Sequence, residues 1–427
     1  MAAPGRPGLL TRHDGVVTGT SGATAEGYLP GSAEYRRVLV ALFLAGLATF
    51  AVLYSPQAIL PELSEQFDVS ATSATLSVSL TTLGLGAALL VAGPWSDVTG
   101  RTRLIHLSLW ASGVVAVASA VAPGWTAVLA LRLLQGVVLA GLPAVATAYL
   151  REELHPSAQA RAAGLYIGGT ALGGMAGRLS VGIVADVVGW RWGLATVAAL
   201  ALAAALVVQL LLPASRGFVP APRDLRQVIR RGHEALTDRV LVVLYVVGGC
   251  SMGAFVAVFN IVGFRLTGEP FELGLAAASL VYLVYPVGTV SSIVFGRLAD
   301  RFGRRAVTPV ACLIAIAGVL LTLAPLLVVL VVGLALLTAG FFAVHGIASG
   351  WVPVRAHAGG VSTGQAASLY LFTLYLGSSV FGSLAGAVWH STGWPGVVVL
   401  AVVLFAVAGG LTLWLRRIPT LLTTPPS

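Results

Sequence analysis

The stretch GRLADRFGR at 296–304 decides the fold, because a related stretch, GPWSDVTGR, stands at 93–101. Both follow the pattern G-x-x-x-D-x-x-G-R, and they begin 203 residues apart. A second correspondence has nearly the same offset, since AAGLY at 162–166 matches AASLY at 366–370, 204 residues later. Two agreeing offsets predict a chain made of two related halves with the same topology.

The composition predicts that these halves lie in a membrane. Of 427 residues, 57% are hydrophobic and only 10% are charged, and the mean hydropathy is +0.92, whereas a soluble domain carries about 25% charged residues. A spanning helix needs roughly 20 apolar residues. The sequence therefore predicts an all-α membrane protein with twelve transmembrane helices in two pseudo-symmetric six-helix bundles, at about 38–60, 73–96, 104–122, 126–150, 160–187, 192–213, 240–266, 273–297, 306–323, 326–350, 361–389 and 394–415.

The basic residues that give the net charge of +9 lie mostly on one side of the predicted bundle. All 25 basic residues are arginines, and 21 of them fall in the termini and in alternate loops on one side of the predicted bundle. Cytoplasmic loops carry such an excess of basic residues. The pattern therefore predicts a multi-pass protein of the cell (inner) membrane with both termini in the cytoplasm, and it gives no reason to expect a nucleic-acid partner.

The chain divides at its longest polar stretch. We expect a disordered cytoplasmic tail at 1–35, a first six-helix bundle at 36–213, a basic cytoplasmic linker at 214–239, a second bundle at 240–415 and a short cytoplasmic tail at 416–427. The linker holds six arginines and is expected to be a plain connection beside the anionic inner leaflet.

The repeated loop pattern resembles the signature of the major facilitator superfamily, over essentially the whole chain from about 38 to 415. The second copy is nearly complete, whereas Val98 and Thr102 depart from the basic pattern of the first. The resemblance implies that Asp97, Arg101 and Arg103 latch the two halves together in the outward-facing state; the alternative is a basic turn that only sets topology. The predicted gating residues are Gly93, Asp97, Gly100, Arg101, Arg103, Gly296, Asp300, Gly303 and Arg304.

Two arginines lie inside predicted spans, where a charge costs at least about 2.5–3.5 kcal/mol and faces protein or water. Arg132 and Gln135, in the sequence RLLQG, resemble the fourth-helix motif of proton-coupled members of the family. Arg178 ends the glycine-rich sequence GGMAGR, which resembles the fifth-helix motif of drug–proton antiporters of the YnfM type. We therefore predict that Arg132, Gln135 and Arg178 couple protons to transport; the alternative for Arg132 is a structural role in which backbone carbonyls or a carboxylate satisfy it.

Aromatic and weakly polar residues of several spans suit a mostly apolar pocket with a few polar groups. The predicted substrate-cavity residues are Tyr54, Gln57, Tyr166, Asn260, Tyr282, Tyr285, Phe341, His345, Tyr370 and Tyr375. Each of them taken alone also fits a packing role.

These features predict a secondary transporter that exports small amphiphilic or drug-like compounds in exchange for protons, as a monomer and without a cofactor. No Asp or Glu stands in the middle of a predicted span, and both mid-span charges are positive. This favours an alternative, a transporter of an organic anion or small metabolite. A membrane enzyme is not expected, because no clustered acid–base set is present.

Overall fold

The computed structural model describes residues 27–216, 218 and 225–418, and it is almost entirely helical. Eleven continuous apolar helices are long enough to span a membrane, and the last of them, Thr363–Arg417, breaks at Gly393 into two spans. The twelve spans are α1 Ala33–Gln66, α2 Ala71–Thr99, α3 Arg101–Ala120, α4 Trp125–Glu153, α5 Pro156–Val188, α6 Trp190–Leu211, α7 Arg239–Thr267, α8 Leu275–Phe302, α9 Arg304–Leu321, α10 Leu327–Ala358, α11 363–392 and α12 394–417. The predicted fold class is confirmed.

Prolines break two spans where the halves face each other. Helix α1 changes at Tyr54 into a 3-10 turn, Ser55–Ile59, because Pro56 has no N–H to donate to the carbonyl of Val52 four residues earlier. In α8 a 3-10 turn, Leu280–Val284, precedes Pro286. Each break reorients the side chains around it and leaves backbone carbonyls without their usual helical donors.

Glycines bring α5 and α1 into backbone contact. A Cβ atom built on Gly169, Gly173 or Gly177 would lie 3.1, 2.6 or 2.5 Å from the Cα of a residue on α1. These three glycines share one face of α5, so any side chain there would push the two helices apart. The close packing fixes the position of Arg178, the next residue on α5.

The two halves meet at the end of the bundle opposite the linker, which we call the loop end. Between α2 and α11, a Cβ on Gly386 would lie 2.5 Å from the Cα of Thr72. Between α5 and α8, Gly182 lies against Ser279, and Gly274 lies against Asp186. Both interfaces are therefore tightly packed at the loop end.

At the other end, which carries the linker and which we call the linker end, the halves diverge. A Cβ on Gly164 or Gly168, in the part of α5 nearest that end, would meet no described atom within 4 Å. Deep in the bundle, a hydrogen bond between Gln57 and Asn260 joins the two halves. The described contacts between the halves therefore run from the loop end to the middle of the bundle, where Gly86 of α2 lies against Tyr375 and Phe372 of α11.

Two predicted polar segments are more ordered than expected. The predicted disordered tail reaches residue 35, but α1 begins at Ala33 and Tyr28 pairs with the backbone of Glu153 and His155; residues 1–26 lie outside the described part. The predicted linker contains a helix, Leu225–Thr237, which we call the linker helix. Both expectations rested on polar composition, which does not reveal docking of a segment against the folded bundle.

Candidate functional site

Arg178 lies at the interface of the two halves and is 2% exposed. Its Nε donates to Oε1 of Gln57 at 2.6 Å, and its Nη1 donates to the carbonyl oxygen of Gly174 at 2.5 Å. A buried guanidinium pays a large desolvation cost unless polar or charged groups compensate it. Neither of these two partners carries a charge.

Three tyrosine rings surround the same guanidinium. Its central carbon lies 4.6 Å from the ring centre of Tyr54, 4.8 Å from that of Tyr285 and 5.2 Å from that of Tyr282. The breaks in α1 and α8 carry these rings. Cation–π attraction operates within about 6 Å of a ring centre, so the rings supply part of the stabilisation that a carboxylate would give. They also form an aromatic wall beside the positive charge.

A chain of amides crosses from Arg178 to the second half. Gln57 receives from Arg178 and donates through Nε2 to Oδ1 of Asn260 at 2.6 Å, and Asn260 donates to the carbonyl of Gly382 at 3.3 Å. Gln57 and Asn260 are 203 residues apart, which is the offset of the internal repeat. Arg178 and Gly382 likewise differ by its second offset, 204. The two ends of this series of hydrogen bonds therefore occupy equivalent positions in the repeat, but one end is an arginine and the other is a glycine.

Arg132 has a different environment inside the first half. Its Nη2 donates to the carbonyl of Leu53 at 2.7 Å, both terminal nitrogens reach the carbonyl of Val52, and Nε reaches that of Ser77 at 3.1 Å. Val52 is the residue whose carbonyl Pro56 leaves without a helical donor. Arg132 therefore supports the break in α1, as the alternative interpretation anticipated. Gln135 binds Ser112 on α3, away from Arg178.

A second aromatic group lies on the wall of the second half. His345 Nδ1 is 3.0 Å from the hydroxyl of Tyr370, and the His345 ring stacks between Tyr370 and Phe341. Phe255 links this group to the tyrosines near Arg178, because its ring stacks on Phe341 at 4.2 Å and meets Tyr285 edge-on at 5.8 Å. The sequence prediction did not include Phe255. Tyr166 and Tyr375 lie near each other across the two halves.

The two loop signatures make different contacts. Arg101 pairs with Asp97 and with Glu152 on α4, where Nη2 and Oε1 are 2.9 Å apart. These contacts stay within the first half, as expected where the linker ends of the halves are apart. Asp300 forms no ion pair among the described residues, although its signature is the more complete. Arg305, which directly follows the second signature, donates to the carbonyl of Ile418 at 2.6 Å.

An ion pair that the sequence did not reveal anchors the linker. Asp238 accepts from Arg355 Nη2 at 2.7 Å and from the backbone N–H groups of Val240 and Leu241, so it caps α7 and ties it to α10. Partial burial would raise the pKa of Asp238, but the hydrogen bonds from Arg355 and from the two N–H groups outweigh it, so the pKa lies below its usual value. The carboxylate is therefore ionised at neutral pH.

Comparison with known proteins identifies the family. The model of the Major Facilitator Superfamily matches residues 39–364. The chain belongs to this superfamily. It is 40% identical to the inner membrane transport protein YnfM of Escherichia coli (strain K12), over 88% of this chain and 90% of that one. It is 39% identical to an uncharacterized MFS-type transporter, YybF, of Bacillus subtilis (strain 168), over 91% and 95%.

Solved structures agree with the fold of this major facilitator protein. A bacterial homologue of the human lysosomal transporter Spinster, in an inward-facing and occupied conformation, superposes with a TM-score of 0.74 at 16% identity, over 91% of this chain and 98% of that one. Proteins of this superfamily are transporters and not enzymes. The chain is accordingly a multi-pass membrane transporter.

The predicted site residues thus separate into three places. Arg178, Tyr54, Gln57, Asn260, Tyr282 and Tyr285 come together at the interface, while Phe341, His345 and Tyr370 line the second half beside them. Arg132 and Gln135 lie inside the first half. A separate apolar cavity of about 550 Å³ between α2, α3 and α4 contains no predicted substrate-cavity residue. No cluster of His, Cys, Asp or Glu in the described residues could hold a metal.

Proposed function

We propose that the protein moves small amphiphilic compounds through the cavity between its halves by alternating access, and that it exports them in exchange for protons. The observation that supports alternating access is that the halves pack tightly at Gly182 and Gly386, whereas Gly164 and Gly168, nearer the linker end of α5, have no described atom close to them. The excess of arginines at the linker end supports a cytoplasmic position for that end. The described conformation is then open inward.

The lining supports an amphiphilic cargo. Aromatic rings from both halves give an apolar surface, and Arg178, Gln57, Asn260 and His345 add a few polar groups. Binding pockets for small molecules combine these two features. The resemblance of the fifth span to that of drug–proton antiporters supports export as the direction.

A disulfide across the loop end tests alternating access. A Cβ on Gly274 would lie 3.7 Å from the side-chain carboxyl carbon of Asp186, so Asp186→Cys with Gly274→Cys is suited to form a bridge, with Cys250 and Cys312 both replaced by Ala. We expect oxidation to stop uptake of an amphiphilic dye into proteoliposomes, and reductant to restore it. The two single-cysteine variants are the controls. Undiminished uptake in the oxidised double variant would contradict alternating access.

An imposed pH gradient tests the coupling to protons. His345 carries an imidazole among the aromatic residues of the second half, and an imidazole nitrogen can accept and release a proton. We expect dye flux to accelerate when protons flow in the opposite direction, and His345→Gln to reduce that acceleration while leaving exchange without a gradient. Flux that does not respond to the gradient would contradict antiport and leave alternating access in place.

A further inference from the structure

Arg178 has hydrogen-bond donors without partners. A guanidinium carries five N–H donors, and Arg178 uses one on Nε and one on Nη1. The remaining three, including both on Nη2, have no acceptor among the described residues. Arg132 provides the contrast, because all three of its nitrogens donate to backbone carbonyls. Only one of the two buried arginines is therefore left able to bind something else.

The charge of Arg178 is also uncompensated. The ion pairs among the described residues join Arg101, Arg230 and Arg355 to acids, and none involves Arg178. Its neighbours are amides, a carbonyl and tyrosine rings, which attract a cation but do not neutralise it. A carboxylate would form a bidentate pair with the planar guanidinium, and such charge-assisted bonds are about twice as strong as neutral ones. The guanidinium of Arg178 therefore suits an anion of this kind.

Further unpartnered groups lie around the same point. The hydroxyl of Tyr285 is buried and has no hydrogen-bond partner among the described residues, and the hydroxyl of Tyr54 lies beside that of Ser378. Their rings are the two nearest to the guanidinium. A ligand with an anionic head at Arg178 can accept from these hydroxyls as well as from Nη2. Buried polar groups without partners are uncommon in folded proteins and often mark a bound ligand or water.

The aromatic residues define what accompanies the anionic head. Beyond Tyr285 the apolar surface continues through Phe255 to Phe341, with ring centres 5.8 Å and 4.2 Å apart. Flat rings in offset and edge-on contact suit an aryl or other flat apolar group. The charged and aromatic parts are continuous, so one molecule can occupy both.

We propose that Arg178 is the head-group site of the transporter and that its substrates are organic anions, such as carboxylates or sulfonates, with an aromatic or flat apolar body. This rests on the proposed function and names the substrate class of the same cavity. The free N–H groups of Arg178 bind the anion, the hydroxyls of Tyr54 and Tyr285 donate to it, and the rings from Tyr282 to Phe341 contact the body. Gln57 holds the guanidinium in place through Nε.

Matched probes test the charge of the substrate. The probes are 3-phenylpropanoate, benzenesulfonate, 3-phenylpropanamide and 3-phenylpropylammonium, and the measurement is binding to the purified full-length protein by its thermal unfolding temperature and by calorimetry. We expect the two anions to bind at least about tenfold more tightly than the amide, and the ammonium to bind more weakly still. Arg178→Gln should remove the preference for the anions over the amide and leave amide binding unchanged.

Two further variants separate charge from fold. Arg178→Lys keeps the charge without the planar fork and should retain part of the preference, while Arg265→Gln removes a partly buried arginine elsewhere and should leave the preference intact. Equal binding of propanoate and amide, tighter binding of the ammonium, or no binding of either anion would overturn the proposal. If one of these results were found while a dye was still transported, only the anion proposal would fail and alternating access would still be supported. If anions bound but nothing was transported, only the proposed function would be contradicted.

Discussion

The interface between α2 and α11 and the interface between α5 and α8 occupy equivalent positions in the repeat, but they are built differently. In the first, Gly382 of α11 lies against Ser79 of α2. In the second, Arg178 of α5 lies against Tyr282 of α8. Gly382 matches Arg178 at an offset of 204, and Tyr282 matches Ser79 at 203. One interface is therefore a close packing of small residues, and the other contains a charge and a wall of rings.

This difference shows how a duplicated scaffold acquires one binding site. The Gln57–Asn260 pair, whose members are equivalent in the repeat, lies between the two interfaces and contacts both. Transporters built from repeats bind their substrates at the interface of the halves. Here the substrate chemistry falls on the α5–α8 side, whereas the α2–α11 side provides close helix contact.

The largest effect is expected from breaking the small-residue interface. A side chain at Gly386 would collide with the backbone of Thr72, so Gly386→Leu should prevent closure at the loop end and reduce transport in proteoliposomes by at least about tenfold, because helix backbones shift only at a cost of about 1–3 kcal/mol or more. Gly410→Leu is the matched control, since Gly410 has no described atom within 4 Å of a built Cβ. Equal transport by the two variants would show that contact at Gly386 is not needed.

A smaller effect is expected from placing an acid inside the charged interface. In Gln57→Glu the new carboxylate would accept from Arg178 Nε in place of the amide oxygen. This carboxylate would neutralise the guanidinium. We therefore expect the preference for 3-phenylpropanoate over its amide to fall about tenfold, which corresponds to about 1.4 kcal/mol of binding free energy. Gln135→Glu, at a buried glutamine that binds Ser112, should leave that preference unchanged. A preserved preference in Gln57→Glu would show that Arg178 does not bind the head group.

The smallest effect on substrate preference is expected from the other buried arginine. Arg132→Gln removes the guanidinium that donates to the carbonyls of Val52, Leu53 and Ser77, so the unfolding free energy should fall by about 2–4 kcal/mol while the preference for anions persists. Arg191→Gln removes an exposed arginine that also donates to helix-terminal carbonyls, and it should cost less than about 1 kcal/mol. If Arg132→Gln abolished anion preference without loss of stability, the roles of the two arginines would be reversed.

Much of the fold could be predicted from the sequence because its signals are long and repeated. Apolar runs fixed the existence of all twelve spans, and the repeat offsets related the halves. The predicted ends of the spans differ from the observed ends by a few residues, since polar residues continue a helix beyond its apolar run. For example, α10 extends to Ala358 rather than to 350, and Arg355 in this extension pairs with Asp238. The linker helix was missed because a basic surface helix has no apolar run.

The residues of the site could be predicted from the sequence, but the hydrogen bonds between them could not. Arg178 and the tyrosines stood out by residue type, but Arg132 stood out just as strongly. The two arginines differ in their hydrogen-bond acceptors. Arg132 donates to backbone carbonyls of α1 near Pro56, whereas Arg178 donates to a side-chain amide. Such pairings join residues 79 and 121 positions apart. No local pattern encodes them.

The most direct test is the location of an anionic probe in the protein. A cryo-electron microscopy map of the transporter in lipid nanodiscs with 4-bromobenzenesulfonate would show the bromine and the sulfonate separately. We predict the sulfonate oxygens within about 2.7–3.0 Å of Arg178 Nη2, with the bromophenyl ring among Tyr285, Phe255 and Phe341. Density for the probe at another place, or a protein carboxylate bound to Arg178, would contradict the account.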